Sequence, residues 1–349
     1  MSAAKLARID GVRGLVATRD IAEGESIIEL PLSGTIKLSE ADTQDDPSAP
    51  ALALLQAAEA PGDDKPYWDL VPPRESADMS TMPDFWTDAE LEMLQCPSVV
   101  ATTKKRKQLC AERAEEHKVA EDDLKWALCT VTQRSFTVLS PIDGLLRLML
   151  PGIDLFNHDA NSLHRFRVKW TLNPAYDGLF RVVAGQAIKE GEQIFICYGG
   201  NPNRPEGCGG ECSGDVAWNN GQYVQRYGIV DRSLGTTMVD GKWLAEDGLA
   251  PVREALEQTT QEEDVAILKD ESLSAAARMA VEYRLHLKRS LVAQRQSVKQ
   301  ITAAREAKQA EDAAQRARER ALSAAIQTAL SNDGGGGKDP ELRDLLMSS

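Results

Sequence analysis

The sequence predicts an α+β protein in which small β-sheets are split by a helical insert and followed by a mostly helical domain. Three observations carry this expectation. Strand-like apolar runs fall in two separated regions that share one device: Val-Ala-x-x-x-Ile-x-Glu-Gly-Glu-x-Ile fits Val16 to Ile27 and again Val183 to Ile194, as if two strand-turn-strand units were reused. Between those regions, from about residue 33 to 125, the composition shifts to helix formers broken by Pro-rich loops. Beyond Val230 helical spacing returns and runs almost to the end. The 349 residues, 42% of them hydrophobic, suffice for two domains with ordinary cores. The expected organisation is a β-rich domain over 1–232 containing the insert, a helical domain over 233–331 and a flexible tail over 332–349.

In chain order, Leu15-Val16-Ala17 and Ile27 to Leu30 read as strands, with Glu23-Gly24-Glu25 as the turn between them and Pro31 ending the pairing. Gly11-Val12-Arg13-Gly14 precedes the first strand; its glycines permit positive φ or close approach of the backbone to a ligand, although taken alone such a segment is a common turn. In the insert, Ala51 to Ala60, Tyr67-Trp68 to Pro73 and Asp88 to Leu91 mark helices and loops, with the aromatic residues as packing anchors. Leu124, Ala127, Leu128 and Val131 define an amphipathic helix whose first turn carries Glu121, Asp122 and Asp123. Arg134 comes off its end, where a cation is also a favourable cap.

The segment Pro151 to Asp159 places Asp154, Asn157 and His158 between apolar residues that would bury them, and buried polar groups need partners. Phe166, Val168 and Trp170 then alternate with Arg165, Arg167 and Lys169, a half-exposed strand with a basic outer face. Phe180 to Ala184 and Gln193 to Tyr198 follow as strands; the run Ile194-Phe195-Ile196 sets Tyr198 at the mouth of a buried one. A polar, glycine-rich loop from Arg204 to Asp215 precedes Tyr223 to Tyr227-Gly228-Ile229-Val230. Thr260-Gln261-Glu262-Glu263 is a capping box that starts a helix through Leu268, and Leu273, Ala276, Ala280, Tyr283, Leu287 and Leu291 keep helical spacing. The stretch Ala303 to Leu330 continues as helix. Taken singly, Asn157 reads as a turn former, His158 as a core histidine and Tyr198 and Tyr227 as packing. Their joint occurrence, in this order, carries more.

Asn157-His158 beside one hydrophobic segment and Tyr198-Gly199 beside a later one resemble the cofactor and catalytic motifs of SET-domain protein methyltransferases. The branch most resembled is the Rubisco large-subunit methyltransferase type, in which a helical insert splits the SET domain and a helical substrate-binding domain follows. The resemblance covers residues 11 to 230, with landmarks in the insert at Tyr67-Trp68 and Pro83-Asp84-Phe85-Trp86. It implies a protein-lysine N-methyltransferase using S-adenosyl-L-methionine, bound by the backbone of Val12, Arg13 and Gly14 and by Asn157 and His158. Tyr198 would stand at the methyl-transfer locus with Tyr227 lining it, and Arg134 and Asp154 would border the acceptor side. Gly11 and Gln133 depart from the acidic residue and the Ser usual in the family. Only about thirty residues separate Val230 from Thr260, so the helical domain is abbreviated. A histidine acceptor and a non-catalytic protein-binding scaffold are the alternatives these departures leave open.

The net charge of -14 disfavours direct binding of nucleic acid and suits a basic protein or peptide partner. Six cysteines in 349 residues form no disulfide framework. Cys208 and Cys212 lack a second ligand pair, so no metal is expected. No apolar run is long enough to span a bilayer, and the N-terminus carries no apolar signal core or transit-like segment, so the expected compartment is cytoplasm or nucleus. Oligomeric state is not set by these features.

Overall fold

The computed structural model describes residues 3–9, 11–39, 48–60, 62–172, 175–198, 219–234 and 237–332. Gly199, the Arg204 to Asp215 loop with Cys208 and Cys212, and the tail from 333 onward lie outside them. Strands β1 (Ala4–Ile9), β2 (Val12–Ala17), β3 (Ser26–Pro31) and β4 (Ile36–Ser39) open the chain. Helices α1 (Ser48–Glu59), α2 (Lys65–Trp68), α3 (Ala77–Ser80), α4 (Asp88–Glu92), α5 (Pro97–His117) and α6 (Glu121–Arg134) follow. The chain returns to strands with β5 (Ser135–Ser140), β6 (Gly144–Met149), β7 (Asn157–His158), β8 (Arg165–Thr171), β9 (Asp177–Val183) and β10 (Gln193–Ile196). Then come α7 (Asn220–Tyr227), the small hairpin β11 (Met238–Val239) and β12 (Lys242–Trp243), α8 (Ala250–Leu256), α9 (Gln261–Ile267) and α10 (Ala275–Asn332).

Three sheets combine strands from both sides of the insert, in the orders β1-β2-β10-β7, β3-β9-β8 and β4-β6-β5. The β7–β10 pair is parallel and the other pairs of these sheets are antiparallel. The two first predicted strands are therefore not partners: β2 joins β10, and β3 joins β9. Pro31 does not end the pairing either, since it lies opposite Leu179. The edge position of β3 accommodates a residue without an N–H. The region expected to be helical from residue 33 begins with β4, which pairs with β6.

The repeated strand-turn-strand units meet face to face. Gly24 N–H donates to the Ala184 carbonyl at 2.8 Å and Gly191 N–H to the Ala17 carbonyl at 2.9 Å. Ala184 N–H returns a bond to Glu25 O, as Ala17 N–H does to Glu192 O, and Ile21 and Ile188 exchange both of theirs at 2.9 Å. Gly24 and Gly191 take φ of +82° and +84°, a conformation that glycine adopts without strain. Each turn is thus closed by the other unit, through a local pseudo-twofold arrangement.

Core packing follows the same division. Leu15, Ile21, Ile27, Ile153, Phe156, Phe180, Val182 and Ile194 form the buried centre between sheets. Leu54, Met82, Leu124, Ala127, Val131 and Met149 fasten the insert to the sheet of β6. Trp86, Leu91, Val224, Leu249, Tyr283 and Leu287 join α4 and α7 to the beginning of α10. The chain divides into a unit of residues 1–292 and a second from 293 on. In the latter, residues 295–327 of α10 are exposed along their whole length. Among the described residues, no helix is long and apolar enough to cross a membrane.

Candidate active site

The site is built where β7 lies parallel to β10, with Asn157 opposite Phe195 and His158 opposite Ile196. Immediately before β7 the chain makes a tight turn over Ile153–Leu155, entered through Gly152 at φ +88°. That turn buries Asp154, and Tyr198 follows β10 after Cys197.

Asn157 Nδ2 donates to the Arg13 carbonyl at 2.7 Å, so the Gly11–Gly14 segment and the Asn-His pair meet across 144 residues of sequence. Gly14 leaves the room for this meeting: a Cβ on it would stand 2.5 Å from Gln193 Nε2 and 2.8 Å from Asn157 Nδ2, so these side chains would have to shift. His158 Nδ1 accepts the Tyr198 backbone N–H at 3.1 Å. Its Nε2 therefore carries the proton and donates to Asp231 Oδ2 at 3.0 Å. Burial opposes ionisation of Asp231, but hydrogen bonds from His158 and Ser233 outweigh it and hold the carboxyl well below the usual carboxylate range. The His158 ring lies 4.5 Å from that of Tyr223 and 5.2 Å from that of Tyr198, and the Tyr198 and Tyr227 rings are 4.7 Å apart.

The Tyr198 hydroxyl donates to the Phe156 carbonyl. Burial is the main cause that pushes its pKa up to about 12, with Arg134 acting to lower it and Asp154 to raise it. Both charges are therefore close enough to act on this phenol. Asp154 Oδ2 accepts from the Tyr67 hydroxyl at 2.8 Å and lies 3.6 Å from Arg134 Nη1, which donates to the Asp154 carbonyl at 3.1 Å. Burial outweighs these partners and raises the Asp154 pKa. Its second oxygen, Oδ1, is buried without a partner.

Of the residues the sequence singles out, Arg13 and Gly14 are brought to Asn157, His158 and Tyr227 to Tyr198, and Arg134 to Asp154. Val12 starts β2 with its backbone opposite Ile9, and it is 60% exposed. Sequence reasoning missed Gln193, Tyr223 and Asp231, and it assigned Tyr67 to packing alone. Tyr67 is buried, but it is also the hydrogen-bond donor to Asp154. For Tyr223 a signal was available in Asn219-x-x-Gln222, a capping box that starts α7 and so fixes the helix carrying Tyr223 and Tyr227.

These residues fit S-adenosyl-L-methionine on structural grounds. The cradle at Gly14 that a Cβ would fill brings backbone and an amide side chain together, and the aromatic cluster of Tyr198 and Tyr227 suits a sulfonium cation.

Split sheets around a parallel Asn-His strand and a following tyrosine define a SET-type domain, and the SET domain family matches residues 12–199; the chain belongs to that family. It is 29% identical over 213 residues to the chloroplastic ribulose-1,5 bisphosphate carboxylase/oxygenase large subunit N-methyltransferase of Nicotiana tabacum, covering 53% of this chain and 42% of that one. It is 26% identical over 220 residues to the chloroplastic [fructose-bisphosphate aldolase]-lysine N-methyltransferase of Arabidopsis thaliana, covering 55% and 44%. The chain thus matches less than half the length of these relatives. Among solved structures, the SET domain of LSMT bound to lysine and AdoHcy superposes with a TM-score of 0.59 at 18% identity, covering 87% of each chain. Rubisco LSMT bound to AdoMet gives a TM-score of 0.56 at 16% identity, covering 99% of this chain and 95% of that one. The fold is shared over nearly the whole chain.

Proposed function

We propose that this chain is a protein-lysine N-methyltransferase that uses S-adenosyl-L-methionine. The observation that carries the reading is the meeting, at one end of β7 and β10, of the Asn157–Arg13 junction with the Tyr198–Tyr227 pair. The two curated relatives, named for N-methylation of Rubisco large subunit and of an aldolase lysine, support a protein substrate and a lysine acceptor.

Bound S-adenosyl-L-methionine supplies an electrophilic sulfonium methyl group. The backbone of Val12 to Gly14, Asn157 and His158 would hold it. Of these, Asn157 is oriented by its bond to the Arg13 carbonyl, and His158 by Asp231 on one ring nitrogen and the Tyr198 backbone on the other. Tyr198, with its pKa pushed up to about 12, keeps its proton at neutral pH. It therefore positions groups around the methyl locus and does not serve as the base. A free lysine has a pKa near 10.4. Its neutral amine is favoured where burial strips water from the ammonium form. Arg134 adds a cation that disfavours a second positive charge beside it, and Asp154, engaged by Tyr67 and Arg134, offers Oδ1 to an incoming donor. Geometry carries most of the rate, because fixed donor and acceptor convert a bimolecular displacement into a positioned one.

Incubation with radiolabelled S-adenosyl-L-methionine and a cell extract tests the reading. The expected result is labelled protein carrying methyl-lysine, together with calorimetric binding of S-adenosylhomocysteine. Labelled methyl-histidine would replace the acceptor, and absence of both labelling and binding would leave only a scaffold. We also propose that the reaction takes place in the cytoplasm or nucleus, a reading supported by Cys96, Cys110, Cys129 and Cys197, which form no disulfide and so suit a reducing compartment. Imaging of the tagged protein tests that placement; accumulation in plastids would overturn it.

A further inference from the structure

We propose that the outer face and free edge of β8 form a docking surface for an acidic peptide segment of a protein partner, bound in extended conformation. In the β3-β9-β8 sheet, β8 is an edge strand, and among the described residues no strand pairs with its other side. The register puts Phe166, Val168 and Trp170 opposite Val182, Phe180 and Gly178, on the face that packs against the core. The opposite face therefore carries Arg165, Arg167 and Lys169 from β8 with Arg181 from β9, and at its margins Asp177, opposite Thr171, and Glu29, opposite Arg181.

Two features of this face are unusual for a protein of net charge -14. Arg167 stands directly opposite Arg181, and like charges facing each other across a ladder destabilise it. Further, none of the four cations makes a side-chain hydrogen bond or ion pair among the described residues, and the Nε atoms of Arg165 and Arg181 are covered and unpartnered. Even Glu29, which β3 places opposite Arg181, is not bonded to it. Among the described residues, a chain rich in carboxylates thus leaves four cations of one sheet face without a bonded carboxylate, and only Glu29 faces one of them across a ladder.

The occupant is specified by two chemistries at once. The row of Arg165, Arg167 and Lys169 repeats every second residue, about 7 Å, the spacing at which an added strand presents alternate side chains on one face. Carboxylates at those positions meet guanidinium groups that bind them in pairs of hydrogen bonds. The free backbone edge requires N–H and C=O groups in matching order, which a peptide has and a polynucleotide lacks. The overall negative charge further repels a long polyanion while a short acidic segment responds to the local array. The proposal stands on this surface alone and does not rest on the methyl-transfer reading.

The test uses the full chain and a fluorescent peptide of alternating glutamate and threonine, about nine residues long so as to span the seven residues of β8. A lysine–threonine peptide and a single-stranded oligonucleotide of similar length serve as competing probes. Saturable anisotropy with the glutamate peptide, weakened by salt, is expected. Arg167→Gln with Lys169→Gln should weaken it by at least about tenfold, and deuterium exchange should slow at the amides of residues 165–171. Circular dichroism of this neutral variant confirms the fold, and Arg167→Glu with Lys169→Glu should abolish binding. No saturable binding, equal affinity in the variants or protection elsewhere would overturn the proposal. Tighter binding of the oligonucleotide, lost in the same variants, would overturn it in favour of a polynucleotide. Self-association of the variants with peptide binding unchanged would show that the cations only guard the edge.

Discussion

Tyr198 holds a buried phenol whose hydroxyl is tied to the Phe156 carbonyl, with the ring of Tyr227 beside it. Removing the hydroxyl alone, as Tyr198→Phe, costs the fold one hydrogen bond of net worth about 0.5–1.5 kcal/mol. Turnover should fall at least about tenfold, or about 1.4 kcal/mol of transition-state stabilisation. Calorimetric affinity for S-adenosyl-L-methionine should stay near wild type, because Asn157, His158 and the Val12 to Gly14 backbone are untouched. Unchanged turnover would remove Tyr198 from the locus. Asp231 makes a different kind of prediction. Its carboxyl is held low in the folded state, so its contribution to stability is present above the ordinary carboxylate pKa and is lost as pH falls through the lower folded-state value. Asp231→Asn should therefore melt below wild type at neutral pH, and the gap should shrink as pH drops below about 4. A gap that is constant with pH would mean that the carboxylate charge contributes nothing there.

Among the elements, α9 and the first part of α10 are fastened by a buried charge cluster. Asp264 receives Arg284 Nε at 2.9 Å and Lys288 Nζ at 2.6 Å, and all three residues are buried. Lys288 also donates to Thr259 Oγ1 at 2.7 Å, and Arg284 to the Met93 carbonyl at 3.0 Å, so the cluster ties α9 and the start of α10 to the end of α4. Deleting one member leaves the others desolvated and uncompensated. Asp264→Ala should thus lower unfolding free energy by about 3–5 kcal/mol, measured by urea denaturation, while a loss below 1 kcal/mol would show that the cations find other partners. The sequence revealed the elements of this region well, because local chemistry defines them: the Thr260 capping box starts α9, and the i, i+3, i+4 pattern begins α6 at Glu121 and ends it at Arg134. It did not reveal the β5–β6 hairpin. Leu145, Leu146, Leu148 and Met149 form a near-continuous apolar run without the alternation that marks a half-exposed strand. Asp231 was equally illegible, since its meaning comes from His158, 73 residues away, and an isolated aspartate after a glycine turn carries no local signal. Tyr198 could be read because the apolar strand before it fixes where it must emerge.

For the whole molecule, the reciprocal bonds between the Gly24 and Gly191 turns have a consequence for assembly. The chain up to the insert lacks the partner that closes its own turn, and so does the chain after it; each half is the template on which the other finishes. Long-range closure of this kind makes folding depend on contacts far apart in sequence. It also makes the covalent link between the halves dispensable once both are present. A break at the exposed Gly62, between α1 and α2, cuts no sheet pairing and no buried segment. Residues 1–61 and 62–349 produced separately should each lack cooperative thermal unfolding, and mixing or co-expression should restore it together with cofactor binding. Cooperative melting of the longer fragment by itself would show that its sheets close without the first four strands. The protein is, in this sense, a natural pair of complementing fragments that happen to be translated as one chain.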